Sequence, residues 1–109
     1  MKNVIYLFTA ILCWQTSLSQ SADSSFVYYK KGLEEKNARR FMVAYKNFQK
    51  SVEYKKDNID AQTQLGLTAL ELRDYGNAEV ALLKVNELKK DDPVAIENLA
   101  NIYFWTHQW

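Results

Sequence analysis

The chain has 109 residues, of which 48% are hydrophobic and 25% are charged, with only three glycines and one proline. This length allows one small domain, and the scarcity of glycine and proline argues against disordered, collagen-like and all-β classes. Fourteen basic residues against thirteen acidic ones give a net charge of +1, which does not favour nucleic acid or an anionic membrane as a partner.

The N-terminus has the pattern of a secretory signal peptide. A lysine precedes an uncharged and mainly apolar stretch at 4–14, and small polar residues follow it. Eleven residues span about 16 Å as a helix, which is too short for a bilayer core of about 30 Å, so cleavage is favoured over a permanent anchor. We therefore predict a signal peptide at 1–19 and a mature chain that starts at Gln20 or, alternatively, after Ser21. The predicted location is the periplasm or an extracellular or envelope-associated site.

The single cysteine, Cys13, lies within that apolar stretch. A lipoprotein anchor is disfavoured, because the acylated cysteine of lipoproteins follows a small residue and here Leu12 precedes it. One cysteine also excludes an internal disulfide and a cysteine-based zinc site. Cleavage would leave a chain without cysteine, which suits an oxidising compartment.

The rest of the chain repeats itself with a period of about 34 residues, the offset from Gly32 to Gly66. The matched positions include three small residues, three aromatic residues and three good helix N-caps. In that order they are Gly32, Gly66 and Ala100; Phe41, Tyr75 and Trp109; and Ser24, Asn58 and Asp92. We predict repeat units at 25–58 and 59–92 and a partial unit at 93–109, after a short flexible lead at 20–24.

Each full unit predicts a pair of helices, and the partial unit predicts one. In chain order the predicted helices cover 25–38, 41–54, 59–72, 75–88 and 93–106. The last start is the best signalled, because Asp92 can cap the helix and Pro93 takes the first helical position, where a missing N–H costs nothing. The connections are short, so consecutive helices should pack antiparallel. The expected fold is all-α, an antiparallel helix-turn-helix solenoid of two full repeats plus the first helix of a third.

Apolar and small residues fall at helical spacing on one side of each helix after the first. They are Val43, Ala44, Phe48, Ser51 and Val52; Ala61, Leu65, Leu67, Ala69 and Leu72; Ala78, Val80, Ala81, Leu82, Val85 and Leu88; and Ile96, Leu99, Ala100 and Tyr103. We predict that these residues form the core, with Ile96, Leu99 and Tyr103 packed on helix 75–88. The outward residues of the last helix would then be Ile102, Phe104, Trp105 and Trp109. This exposed apolar face predicts either a fragment of a longer array or self-association.

A helix–turn–helix unit of this period resembles the tetratricopeptide repeat (TPR). The family's pattern of Leu-Gly, an aromatic, Ala, a large apolar and a small apolar residue is similar to Leu65-Gly66, Tyr75, Ala78, Leu82 and Val85 of the second unit. The chain departs from the pattern at Lys31 and Glu35, which fits a degenerate terminal repeat, and at Lys56 and Lys90, where the family often has proline. The resemblance covers residues 25–109 and implies a non-enzymatic scaffold for protein–protein interaction.

TPR arrays hold a peptide in a groove lined by the first helix of each repeat. The resemblance places ten residues of this chain there: Tyr29, Leu33, Lys36, Gln64, Leu67, Glu71, Asn98, Asn101, Phe104 and Trp105. The family's clamp for a C-terminal carboxylate is absent, because its positions hold Tyr29, Leu33, Gln64, Val94 and Asn98. We therefore expect recognition by apolar and aromatic anchors. The alternative is that Leu33, Leu67 and Phe104 merely pack between neighbouring helices.

Residues suited to catalysis or metal binding are few. The one histidine, His107, falls in a predicted turn. Glu34 and Glu35 cannot share a proton, because successive helical residues point about 100° apart, and the Asp91–Asp92 pair has a capping role. The sequence contains no phosphate-binding, nucleophile-elbow, zinc or calcium motif. We therefore predict no enzymatic activity, no cofactor and no metal site.

Charge is distributed unevenly along the chain. Residues 25–58 carry nine basic against four acidic side chains, a net +5, and residues 59–109 carry four against eight, a net −4. The nine basic residues are Lys30, Lys31, Lys36, Arg39, Arg40, Lys46, Lys50, Lys55 and Lys56. They indicate either an acidic partner or an ordinary solvated terminal repeat, and the adjoining acidic half disfavours nucleic acid.

Two functional hypotheses follow from these patterns. The first is an exported scaffold that binds a protein or peptide, with no nucleic-acid partner and no membrane span in the mature chain. The second is the N-terminal repeat leader of a larger envelope protein, such as an outer-membrane β-barrel or an export or assembly component. The stretch 98–105 resembles repeats that precede certain outer-membrane barrels. A reading frame that continued into alternating ten-residue strands would favour the second hypothesis.

Overall fold

The structure is a computed structural model that describes residues 21–107, and in this range the chain forms five α-helices and no strand. In chain order they are α1 (21–37), α2 (Phe41–Tyr54), α3 (Ile59–Glu71), α4 (Tyr75–Leu88) and α5 (Pro93–Thr106). The predicted all-α fold is confirmed, and apart from the start of α1 the helix ends agree with the prediction to within one residue. The predicted signal peptide at 1–19 and Trp109 lie outside the described residues.

Helix α1 starts earlier than predicted. Residues 21–24, predicted as part of a flexible lead, are helical, so the predicted N-cap at Ser24 is wrong. The reason is a tertiary contact one residue later: Ser25 Oγ donates to Ser51 O at 2.9 Å, and Ser51 Oγ donates to Ser25 O at 2.7 Å. These buried hydrogen bonds to α2 stabilise the first turns of α1, and no glycine or proline interrupts them.

The turns within the two units have the same backbone conformation. Arg39 and Arg73, which are one period apart, both have a left-handed backbone, with φ of 60° and 58°. In both turns the amide of the next residue donates to the carbonyl five residues earlier, at 2.9 Å. This arrangement ends a helix by satisfying its last carbonyls. The sequence repeat is therefore also a repeat of backbone geometry.

Side chains cap the last three helices. The carboxyl or amide oxygens of Asn58, Asp74 and Asp92 accept hydrogen bonds from the backbone amide three residues later, at 3.1–3.2 Å. The predicted caps at Asn58 and Asp92 are confirmed, and Pro93 stands at the start of α5 as expected. Each cap satisfies an amide that the helix itself leaves unpaired, which stabilises the helix by about 1 kcal/mol.

The helices are arranged in two layers. Helix α3 packs against α2, α4 and α5, and α1 reaches α3 through a hydrogen bond from Lys36 Nζ to Gln64 Oε1 of 2.7 Å. Helices α1, α3 and α5 thus form one layer, which we call the inner layer. Helices α2 and α4 form the other layer and flank a common cleft, to which Tyr45 and Val80 contribute.

Each unit has one point at which its two helices approach very closely. Gly32 of α1 lies against the ring of Phe48 of α2, and Gly66 of α3 lies against Leu82 of α4. A Cβ atom on Gly66 would lie 2.8 Å from Leu82 Cγ, well inside the normal separation of two carbons of about 3.5–4.0 Å. The two pairs are again one period apart, so the packing repeats with the sequence.

The core lies between the layers around Leu82. The central cluster consists of Ala69, Ala78, Leu82, Leu99 and Ile102. Five predicted core residues are instead exposed: Val43, Val80, Ile96, Ala100 and Tyr103. Ile102 differs in the opposite direction, since it was predicted to face outward and is only 1% exposed.

The face that α5 buries explains these differences. Ala95, Leu99 and Ile102 are buried and lie at i, i+4 and i+7 on one side of the helix. Ile96 and Tyr103 lie on another face of α5. The two residues that precede them by one period are buried within the second unit. Among the described residues no second helix follows α5, so this face is exposed.

The two valines that are exposed on the other layer have a simpler explanation. Val43 directly precedes the buried Ala44, and Val80 directly precedes the buried Ala81. At about 100° per residue, the buried residues of α2 and of α4 lie on one side of each helix, and Val43 and Val80 point away from that side. Val80 is consequently 68% exposed.

The glycine contact yields a stability prediction. Gly66→Ala should destabilise the fold by about 1–3 kcal/mol, because the new Cβ overlaps Leu82 in a fully packed site. Gly76→Ala is the matched control, since the nearest neighbouring atom to a Cβ there is Asp74 Oδ1 at 4.0 Å. The control should unfold like the wild type or be more stable by up to about 1 kcal/mol. Urea unfolding followed by circular dichroism compares the three, and an undiminished Gly66→Ala protein would contradict the close approach.

Candidate functional site

The ten predicted groove residues lie on the three helices of the inner layer, and the surface they would form contains two contacts of its own, Lys36 with Gln64 and Phe104 with Trp105. Tyr29, Leu33 and Lys36 are on α1, Gln64, Leu67 and Glu71 are on α3, and Asn98, Asn101, Phe104 and Trp105 are on α5. On α1 and α3 all of them except Glu71 are half-buried, whereas Asn101, Phe104 and Trp105 of α5 are exposed. The surface therefore has a closed part at α1 and an open part at α5.

In the closed part, side chains of α1 contact both α2 and α3. Lys36 and Gln64 are joined by the hydrogen bond of 2.7 Å described above. The ring of Tyr29 lies 6.1 Å from that of Phe48. Burial, and to a lesser extent the carboxylate of Asp60, raise the pKa of the Tyr29 phenol above its usual value. Tyr29, Lys36 and Gln64 are thus occupied by contacts between helices, and this part favours the packing interpretation.

Four further candidates, Leu33, Leu67, Asn98 and Asn101, are uncharged and differ in how far they are exposed. Leu33 and Leu67 are half-buried, so part of each side chain is open to solvent. Asn98 Nδ2 donates to Val94 O within α5, at 2.8 Å, which occupies its amide group. Asn101 is exposed. None of these four carries a free charge with which to orient a partner.

The open part is dominated by two aromatic side chains. Phe104 and Trp105 are 59% and 61% exposed, and their rings meet edge to face at 5.5 Å with an interplanar angle of 82°. Phenylalanine and tryptophan together supply a large apolar area with few rotatable bonds. Exposed groups of this kind are typical of residues that dominate the energy of protein interfaces.

A cleft of 410 Å³ lies beside Trp105. Its other walls are formed by Leu70, Glu71, Arg73 and Tyr75, at the turn between α3 and α4. Within residues 21–107 neither Glu71 nor Arg73 takes part in an ion pair. The cleft therefore places an apolar wall next to a free carboxylate and a free guanidinium group.

Arg73, Leu70 and Tyr75 were not among the sequence-predicted site residues. Glu71 and Trp105 were predicted, and they occupy the same position of successive units, one period apart. The left-handed turn at Arg73 folds the start of α4 back beside the end of α3, and this brings Tyr75 to the cleft. The repeat register was enough to identify Glu71 and Trp105 as equivalent positions. Only the geometry of the turn shows that Arg73, Leu70 and Tyr75 line the same cleft.

A stacked aromatic pair on α1 and α2 was also missed. The rings of Tyr28 and Tyr54 are 5.7 Å apart and nearly parallel, at 7°. Lys31 Nζ and Lys50 Nζ each lie 5.2 Å from the centre of the Tyr28 ring. The lysines therefore contact the chain's own aromatic groups, which stabilises each pair by about 0.5–1 kcal/mol at an exposed site.

Most of the basic residues of the first unit are engaged in this way. Lys30, Lys31, Arg39 and Lys50 lie over aromatic rings, Arg40 pairs with Glu35, and Lys36 bonds to Gln64. The hydrogen bond from Arg40 also lowers the pKa of Glu35. Because these side chains already have partners within the chain, the geometry favours a solvated structural role for the basic end over recognition of an acidic partner.

Residues 21–107 contain no group of His, Cys, Asp and Glu side chains that could hold a metal ion. No helix of the described part has the length and the apolar character needed to cross a membrane. In comparisons with known proteins, the chain matches no protein-family model and no curated protein.

The position of Tyr29 yields a pH prediction. Its pKa is raised in the folded chain, so the folded state holds the phenol proton more tightly than the unfolded state. Stability should therefore be complete below the unfolded pKa of about 10 and should fall as the pH rises through the folded value. Tyr29→Phe should lose less stability than the wild type between about pH 9 and about pH 11 in urea titrations. Asp60→Asn should reduce the loss only partly, because burial is the larger cause. An equally steep loss in Tyr29→Phe would contradict the assignment.

Proposed function

We propose that the chain is a non-enzymatic scaffold that binds a protein or peptide segment on its inner layer. The observation that carries this proposal is the exposed Phe104–Trp105 pair beside a cleft with an unpaired carboxylate and guanidinium group. An apolar side chain of a partner would pack against the rings and exclude water from them. Glu71 and Arg73 would then orient polar groups of the same segment.

We also propose that the array is of the tetratricopeptide type. Three features that recur with the period of the sequence support this proposal. They are the left-handed turn residues, the side-chain caps of α3 and α5, and the glycine contacts between paired helices. Helices of successive units would then share one continuous surface, as the inner layer does. Such a surface suits an extended or helical segment better than a small molecule.

The mode of recognition we propose uses apolar anchors rather than capture of a carboxylate. Tyr29 and Gln64, which stand at two of the clamp positions, are engaged by neighbouring helices. The Tyr29 ring lies near Phe48 of α2, and Gln64 of α3 accepts a hydrogen bond from Lys36 of α1. Lys36, the basic residue of this surface, already bonds to Gln64. The exposed groups lie at the α5 end, where the inner layer offers rings instead of lysines.

The first test of the scaffold is a binding experiment with selected peptides. Peptides chosen from a displayed random library for binding to the chain should lose affinity about tenfold or more with Trp105→Ala or Phe104→Ala. Val80→Ala is the matched control, because Val80 is an equally exposed apolar residue on the opposite layer. Isothermal titration would measure all three. If the peptides instead tolerate both aromatic changes and lose affinity with Lys30→Glu or Lys46→Glu, the basic surface is the site and the anchor proposal is wrong.

We further propose that the scaffold acts after export, either alone or as the repeat leader of a larger envelope protein. The support is the sequence pattern at 1–19, with its basic start, apolar centre and small residues before Gln20. Self-association through α5 is compatible with both arrangements, since the outward face of α5 is apolar.

Export has its own test. Expressed in a Gram-negative host, the chain should be recovered from the periplasmic fraction with the mass of a protein that starts at Gln20, or at residue 22 for the alternative cut. Mass spectrometry of the intact protein distinguishes the two cuts. Recovery of a cytoplasmic product that retains Met1 would contradict export.

A further inference from the structure

The buried polar side chains of residues 21–107 are concentrated in the first unit and on the helix that packs against it. The buried polar residues are Ser25, Ser51, Gln62 and Thr68. The first two belong to α1 and α2, the other two belong to α3, and α4 and α5 contain none. One period after Ser51 and Thr68 the chain has Val85 and Ile102, which are buried and apolar. The contact of α1 and α2 with α3, which we call the joint, is therefore more polar than the contact of the second unit with α5.

The repeat shows which face of α3 the joint covers. Within the described residues α5 is preceded by the second unit and followed by no further helix, so its buried stripe from Ala95 to Ile102 faces that unit. One period earlier, the corresponding ends of the stripe on α3 are Ala61 and Thr68. Both are 0% exposed, and by this register both face the first unit across the joint.

Thr68 has a hydroxyl group that the closed joint leaves without a partner. Its Oγ1 atom is buried and makes no hydrogen bond to any residue that the structure describes. Such a hydroxyl has lost its hydrogen bonds to water and has gained none in return. Separation of the first unit from α3 returns water to this group, so Thr68 favours an open joint.

The other polar groups of the joint contribute direction more than free energy. Asn58 Nδ2 donates to Ser25 Oγ across the joint at 3.1 Å. Gln62 Nε2 donates at 3.0 Å to the carbonyl of Lys56, in the link between α2 and α3. The same groups bond to water when the joint is open, so each hydrogen bond adds little net stability to the closed state. These bonds position the first unit without holding it tightly.

We propose that the joint is a hinge, at which α1 and α2 separate together from α3 while the packing inside each unit persists. Each unit keeps its own close helix contact, Gly32 on Phe48 in the first and Gly66 on Leu82 in the second. Opening replaces hydrogen bonds of the joint by bonds to water and hydrates Thr68. It therefore costs less free energy than complete unfolding, which also breaks the apolar contacts inside the units.

Opening of the hinge changes the surface of the inner layer. Lys36 of α1 and Gln64 of α3 lose their hydrogen bond to each other, so the closed part of that layer becomes accessible. The hinge does not involve Phe104 or Trp105, which lie on α5. It can therefore be tested separately from the binding surface proposed above, and it holds whether or not that surface binds a peptide.

The labelling rate of a buried thiol measures the opening. The reporter is Ala61→Cys in the full chain with Cys13→Ser, because Ala61 is 0% exposed on the α3 face that the joint covers. Ala78→Cys, also at a position that is 0% exposed but within the second unit, reports complete unfolding. With an aromatic disulfide reagent and no denaturant, the thiol at position 61 should react at least about tenfold faster than the thiol at position 78.

Thr68→Val tests the cause of the opening. It removes the unpaired hydroxyl at nearly the same side-chain size, so it should slow labelling at position 61 about tenfold. Thr63→Val is the matched control on the same helix, because the Thr63 hydroxyl already donates to Ile59 O at 2.8 Å, and it should leave the rate unchanged. Equal labelling rates at positions 61 and 78 would overturn the hinge. An unchanged rate in Thr68→Val would do the same, since fraying of the start of α3 would then account for the labelling.

A second measurement needs no introduced cysteine and covers the case in which the thiol disturbs the packing. Trypsin can cut the link between α2 and α3 after Lys55 or Lys56, both of which are exposed. Proteolysis of a folded chain follows the population of its open form when opening and closing are fast. Thr68→Val should therefore slow this cut about tenfold and Thr63→Val should not, as followed by mass spectrometry, with circular dichroism to verify folding. The same cutting rate in Thr68→Val and the wild type would contradict the proposal.

Discussion

The close contact between a glycine of one helix and a large apolar side chain of the next is the constraint on which the rest of this structure depends. At Gly66 and Leu82 the separation leaves no room for a Cβ atom, so the distance and register of α3 and α4 are both determined there. The same contact between Gly32 and Phe48 sets α1 on α2. The separation of each helix pair is consequently set at this contact, and dispersion contacts around the glycine replace the contacts that its missing side chain would have made.

Polar contacts then join one unit to the next. Ser25 and Ser51 exchange hydrogen bonds in the interior of the first unit, and Asn58, the cap of α3, donates to Ser25 Oγ at 3.1 Å. The cap therefore has two roles, since its oxygen begins α3 and its nitrogen attaches α3 to the first unit. Such a network is directional, so it specifies the relative position of the units more strictly than apolar packing alone would.

These constraints leave the two ends of the inner layer with different surfaces. At the α1 end, lysines and arginines lie over the chain's own rings or bond to neighbouring helices, so charge there supports the fold. At the α5 end, the helix turns Ile102 into the core and leaves Phe104 and Trp105 exposed. The binding surface proposed for the inner layer lies at this second end, because apolar area is available there without a compensating internal contact.

The sequence by itself determined the helices, their order and the repeat, because caps, turn residues and the register of the repeat are local or periodic signals. It also identified Phe104 and Trp105 as candidate anchors. Only the tertiary structure decided which side of each helix is buried. Ile96 and Ile102 are equally apolar, but Ile96 is exposed and Ile102 is buried. Their burial differs because it depends on which neighbouring helix each residue faces. In the same way, the sequence predicts Lys36 and Tyr29 as groove residues, yet Lys36 bonds to Gln64 of α3 and the Tyr29 ring lies near Phe48 of α2. The availability of a side chain is set by partners distant in sequence.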